Sequence, residues 1–213
     1  MDRTVKGTIA VVLIAIILGI AYYGSYLPVR KAQSYIATLQ SLQATPPTSL
    51  QDLETRLEPS LNAVSPIGQE EIVRNTANSV LGLLQNGIDP TSTMELMTFL
   101  NGYYDPILSR GKGMSFGQDL YLEGAVNELA FADTNDPTYL EAAQHYYLEG
   151  EALGPNRPQP LYGMLDVYRA EGDVTDTVAT AEKILSNWPT DTSVQGLLAQ
   201  LKGATTTIPT STQ

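Results

Sequence analysis

The sequence predicts an all-α protein, with an N-terminal transmembrane helix followed by an array of helical hairpins. Three observations predict it. Apolar residues recur at spacings of three and four along most of the chain, the period of a helix face. Breakers containing Pro, Gly and Asn separate these stretches, and no run alternates as a half-buried strand would. One stretch, Gly7 to Val29, holds no charged residue.

That uncharged stretch contains TIAVVLIAIILGIAYYGSY, and a bilayer core needs about 20 such residues in a helix. Tyr22, Tyr23 and Tyr26 close it, where amphipathic rings favour the headgroup level. Arg3 and Lys6 flank one side, Arg30 and Lys31 the other. The short basic leader ahead of a long domain predicts a single-pass anchor with the N-terminus inside and the C-terminal domain outside the cytoplasm. Two readings compete with it. Gly19-Ile20-Ala21 is a tolerable site for a cleaved signal peptide, although Tyr22 and Tyr23 follow it directly. A buried core helix would carry one apolar stripe, whereas this run is apolar all round. A pilin-type start would need a Glu near the beginning of the apolar helix, and none is there.

The 213 residues carry a net charge of −11 and no Cys. Residues 1–31 sum to +3, so the remainder carries −14. An acidic body repels phosphate backbones and argues against nucleic acid and against lying flat on anionic lipid. Without Cys there is no disulfide, thiol nucleophile or cysteine metal site.

Pro28-Val29 is expected to end the membrane helix. After it, Tyr35, Ile36, Leu39 and Leu42 share one side of a helix, and ATPPTS breaks it with Ser49 placed to cap the next. Leu50, Leu53, Leu57 and Leu61 mark that helix. AVSPIG breaks again. The following helix has Glu70 and Glu71 in its first turn and Ile72, Val73, Ala77, Val80, Leu81 and Leu84 as its apolar face, with Asn86-Gly87 as its stop. A long helix is expected from Pro90 to Leu108, kinked near Pro106, followed by the glycine-rich connection SRGKGMS. The next covers Phe116–Ala132, with Leu120, Ala125, Leu129 and Ala130 inward, and DTNDPT then starts a helix through Leu153.

Pro155 and Pro189 stand 34 residues apart. This is the period of the tetratricopeptide repeat, which pairs two helices, with small residues where they cross and a Pro after the second. In Pro158–Asp191, Leu161, Met164 and Tyr168 fill the large positions of the first helix. Gly172-Asp173 makes the turn, Thr177, Ala181 and Ile184 fill the second helix, and Pro189 closes it. Leu165 stands where the family prefers Gly, and Ala181 where it prefers Phe. The preceding unit places Ala143 and Tyr147 well, but Asn127 and Thr134 replace large residues in its first helix. TSVQGLLAQLKG (Thr192–Gly203) resembles a capping helix, which a stack of repeats needs to cover its open face. The resemblance covers Asp136–Gly203. It implies a tetratricopeptide-like hairpin array whose groove lies on the first helix of each unit: Gln159, Tyr162, Asp166 and Arg169, then Ser193, Gly196 and Gln200.

The order of parts resembles something further. An apolar helix runs straight into LPVRKAQSYIATLQ, followed by PIGQEEIVRN and LGPNRPQPLYGMLDVYRAEGD. This is similar to the C-terminal region of O-antigen ligase or polymerase-like membrane proteins. That family's catalytic Arg and His residues lie in a many-helix membrane domain that these residues do not match, so no catalytic residue carries over. The resemblance implies a detached C-terminal portion, a split partner or a fragment.

The candidate chemistry is sparse. His145, the single His, lies between Ala143 and Tyr147 with no Ser or Cys motif beside it, and reads as a packed or solvated side chain. Asp133, Asn135 and Asp136 resemble a calcium loop, but Thr138 and Gln144 occupy its Gly and closing Glu positions, and a helix cap explains them better. The carboxylate pairs Glu70–Glu71 and Glu149–Glu151 read as solvated helix faces. Gly111-Lys112-Gly113 lacks phosphate-loop spacing, and the tyrosine pairs 103/104 and 146/147 read as packing.

The expected organisation is an anchor over 1–30, a helical spacer over 31–132, repeats with a cap over 133–203 and a disordered tail over 204–213. The expected function is a non-catalytic interaction scaffold that uses no cofactor or metal. It binds a protein or peptide partner at the membrane and is held there by residues 7–29. The alternative is an accessory part of a surface-glycan assembly protein, partnered by a multi-span subunit.

Overall fold

The computed structural model describes residues 2–113 and 115–206. The regular elements among them are all helical: α1 Arg3–Ala21, a π-helical turn Tyr22–Tyr26, α2 Leu27–Ala44, α3 Leu50–Leu61, α4 Gln69–Leu84, α5 Pro90–Leu108, α6 Phe116–Thr134, α7 Pro137–Leu153, α8 Pro158–Glu171, α9 Val174–Asn187 and α10 Thr192–Thr206. Helix α10 passes the expected limit at Gly203. The rest of the expected tail, 207–213, and Met114 of the glycine-rich connection lie outside the described residues.

Local chemistry sets the ends of these helices. The Ser49 hydroxyl accepts from the Asp52 amide at 3.1 Å and starts α3. The Asp136 carboxylate accepts from the Thr138 amide at 3.0 Å and starts α7, which is the capping role read for this acidic turn. Gly172 closes α8 at φ +74°, and Asp173 starts α9 by accepting from the Asp176 amide at 2.9 Å.

Pro28 does not end the first helix, contrary to expectation. Residues Arg3–Ala44 form one rod of 42 residues, and its apolar part is long enough to span a membrane. Pro28 sits in the first turn of α2, directly after the π turn. The wider π turn accommodates a ring that would clash with the carbonyl four residues back in a regular α-helix.

The chain divides into two compact units, Met1–Thr76 with Glu95–Ile107, and Ala77–Met94 with Leu108–Gln213. In the first, α2 packs on α3. The Thr38 hydroxyl donates to the Arg56 carbonyl at 3.2 Å, and Arg56 reaches Asp52 at 2.8 Å and the Thr45 carbonyl at 2.8 Å, which closes the ATPPTS connection. Tyr35, Leu53, Leu57, Leu61, Ile72 and Val73 are buried. Ile36 is a correction: expected on the inner side with Tyr35, it is exposed. Lys31, expected as a simple flanking charge, is buried as well.

In the second unit α6 packs on α7, α7 on α8, α8 on α9 and α9 on α10, and α6 also reaches α8. Two clusters hold it. One joins Leu140, Ala143 and Tyr147 of α7 to Met164 and Val167 of α8. The other joins Leu161 and Leu165 of α8 to Ala181 and Ile184 of α9 and Val194 of α10. Ala181 thus lies where α8, α9 and α10 meet. Helix α6 departs from its single expected stripe. Leu120 and Ala130 are buried, but Ala125 and Leu129 are only half-buried, while Asp119, Glu123 and Asn127 are buried. A helix packed against two others buries more than one face, so one apolar stripe does not describe it.

Candidate partner-binding groove

Helix α8 presents three faces. Met164 and Val167 meet α7, and Leu161 and Leu165 meet α9 and α10. The remaining face carries Tyr162, Asp166 and Arg169, spaced by four and three. Opposite them α10 carries Ser193, Gly196 and Gln200 at the same kind of spacing. These six residues line one depression of about 460 Å³, with Leu165, Val194 and Leu197 as its apolar wall.

A hydrogen bond fixes the end of this groove. The Tyr162 hydroxyl donates to the Asp191 carboxylate, which also accepts from the Ser193 and Val194 amides at 2.9 and 3.0 Å and so caps α10. The bond from Tyr162 is the main reason that the Asp191 carboxyl lies below its ordinary range. The same bond pushes the Tyr162 phenol up to about 12. Asp166 and Arg169 form an exposed ion pair at 2.9 Å, so the groove offers both charge signs to a ligand.

Gln159 does not line this depression. It lies in an adjoining one of about 400 Å³ with Tyr121, Ala125, Glu128 and Leu129 of α6, Leu81 of α4 and Gln85 just after α4. Tyr162 and Asp166 line both, so the two depressions join across α8.

The floor of the second depression holds a pair that sequence reasoning missed. The Tyr147 ring lies between Gly124 of α6 and Gly163 of α8, and a Cβ on either glycine would collide with it. Its hydroxyl donates to Glu128 Oε2 at 3.0 Å. Burial, above all, raises the Glu128 carboxyl to about 7. Near neutrality it can therefore donate to a carbonyl or accept from an amide, the two groups every peptide backbone carries. Burial likewise raises the Tyr147 phenol. The one sequence signal for this pair was Tyr147 in the family's large-residue position; nothing pointed to Glu128.

The other residues singled out from sequence lie elsewhere. His145 is exposed and faces Glu149 at 3.9 Å. Glu70 and Glu71 face Arg74 at 3.9 and 3.2 Å, and Glu151 pairs with Lys183. Gly111 takes φ +61° in the connection before α6. Compared with known proteins, the chain matches no family model, no curated protein and no solved structure.

Proposed function

We propose that the protein is a membrane-anchored, non-catalytic interaction scaffold. In this reading α6–α10 are tetratricopeptide-like, the domain faces away from the cytoplasm, and the face shared by α8 and α10 grips an extended segment of a protein partner. One observation carries it. Tyr162, Asp166, Arg169, Ser193, Gly196 and Gln200, chosen by repeat register, line a single depression. Successive helices pack on their neighbours, which supports the hairpin array. The engagement of Glu70, Glu71, Glu149 and Glu151 with cations or with His145 supports a structural role for those carboxylates.

The test places a photo-cross-linking residue at Gly196, where a Cβ meets nothing within 4 Å. Cross-linking in native membranes should yield a defined adduct. Asp166→Ala with Arg169→Ala should abolish the adduct and leave the helical circular-dichroism spectrum intact, because an exposed ion pair contributes only about 0–1 kcal/mol. These two are better probes than Tyr162, whose hydroxyl braces the α10 cap. An adduct that survives the double change refutes the groove assignment.

The unbroken rod from the apolar helix into α2 favours a second reading, an accessory portion of an O-antigen ligase or polymerase-like assembly. The same experiment separates the two: a multi-span membrane protein in the adduct supports the second.

A further inference from the structure

The connection between α3 and α4, residues 62–68, reads NAVSPIG and carries no charge. Val64 is 79% exposed and Ile67 62%, and no large apolar side chain described outside the α1–α2 rod is more exposed than either. The tip is held in shape rather than left to collapse onto the core. The Ser65 hydroxyl donates to the Ile67 carbonyl at 2.7 Å, and Gly68 turns the chain at φ +88°.

Lys31 fixes the position of this connection. It lies two residues beyond the uncharged run, yet only 3% of it is exposed. Its ammonium donates to the Ala63 carbonyl at 2.7 Å and to the Gln69 side-chain oxygen, so it grips both roots of the connection. At about 1.5 Å per helical residue, Lys31 lies roughly 3 Å along the axis from Val29. The tether therefore holds both roots of the connection, Ala63 and Gln69, at the depth where a span ending at Val29 meets the headgroups. Ile67 and the exposed Ile36 share an apolar depression with Pro28 and Tyr35, so apolar surface continues from the rod, just past the uncharged run, onto the connection. Above it, Tyr22, Tyr23 and Tyr26 are exposed on the rod as an aromatic belt would be.

We propose that the 62–68 connection is a second membrane contact, with Val64 and Ile67 seated in the lipid interface beside the point where the span emerges. This rests on reading Gly7–Val29 as a membrane span. The contact is apolar rather than electrostatic, which reconciles it with the acidic body: of the two charged residues that line the depression, Lys31 is buried and Glu71 is the one acid. A span alone lets the domain swivel; a second contact Lys31-tethered to its base fixes one side of the first unit against the bilayer.

The native chain has no Cys, so single cysteines give unique labels. The full chain is reconstituted in phosphatidylcholine vesicles with an environment-sensitive fluorophore at position 14, 67 or 51. The label at 14 should be quenched by a spin label deep in the acyl chains. The label at 67 should be quenched several-fold more by a headgroup-level spin label than by aqueous iodide. The label at 51, on exposed Gln51 at the far end of α3 from the connection, should respond to iodide alone. Iodide reaching 67 as readily as 51, with 14 still quenched by lipid, overturns the second contact and leaves the span. Protection of 67 from iodide without lipid quenching places another protein surface there and also overturns it. Iodide reaching 14 overturns the span and this contact together.

Discussion

Glu128→Gln tests the floor of the depression that adjoins the candidate groove. The carboxyl is raised from an ordinary 4.5 to about 7, chiefly by burial, against the opposing hydrogen bond from Tyr147. A folded-state value above the unfolded one means that the folded protein holds a proton the unfolded chain releases. Stability therefore falls as pH rises from 4.5 to about 7 and is level above that window. At full value, ionising Glu128 in the fold costs roughly 3 kcal/mol; partial exposure reduces that to about 1–2 kcal/mol. Glutamine keeps the shape and an acceptor for the Tyr147 hydroxyl while removing the charge. At about pH 8 the variant should gain about 1–2 kcal/mol, a rise in melting temperature of about 2–8 °C for a chain of this size. At pH 4.5 or below, where the wild-type carboxyl is already neutral in the fold, the gain should vanish. Thermal melts of detergent-solubilised protein by circular dichroism read both conditions. Equal shifts at the two pH values, or a loss at the higher one, would refute burial as the cause.

Gly163→Ala should cost about 1–3 kcal/mol in denaturant titration, because the new methyl enters the Tyr147 ring; an unchanged midpoint would mean that the ring has room to move. Ala181→Trp should cost at least as much, about 1–3 kcal/mol or more, since Ala181 is fully buried against Leu161, Leu165 and Val194; an unchanged melting temperature would place it away from that crossing. The protein should fractionate with membranes, and protease added to intact spheroplasts should digest the domain. Full protection would refute the orientation, and recovery in the soluble fraction would refute the anchor.

Helix ends were legible because caps are local chemistry. Ser49, Asp136 and Gly172-Asp173 each act within four residues of themselves, and each acts as read. The face of α8 that carries Tyr162, Asp166 and Arg169 was legible for a related reason: helical spacing sets it apart from Leu161 and Met164. What depends on distant partners was not legible. Lys31 is a flanking charge in sequence; its burial follows from the Ala63 carbonyl and Gln69 side chain, 32 and 38 residues away. Ala125 and Leu129 belong by periodicity to the inner stripe of α6, yet they line the depression beside the groove, because α6 meets α7 and α8 on other faces. Glu128 pairs with Tyr147 across 19 residues, and no spacing rule connects them.

The tetratricopeptide register prefers Gly at position 165, where this chain has Leu. The three faces of α8 explain the departure. Leu165 belongs to the cluster with Ala181, Ile184 and Val194, where a large side chain fills the space between α8 and its successors. The close approach occurs two residues earlier, at Gly163, and is directed at Tyr147 of the preceding helix, which Gly124 of α6 meets from its other side. The aromatic ring thus sets the separation of α6 and α8, and with it the width of the depression that both helices line beside the α8–α10 groove. Enlarging either glycine would spread that depression as well as destabilise the fold. The groove face of α8 lacks this constraint: Asp166 and Arg169 are exposed and pair with each other. Those side chains can therefore change without repacking either cluster. If the groove binds, partner preference should track Asp166 and Arg169, while the width of the adjoining α6–α8 depression stays tied to the triad of Gly124, Tyr147 and Gly163.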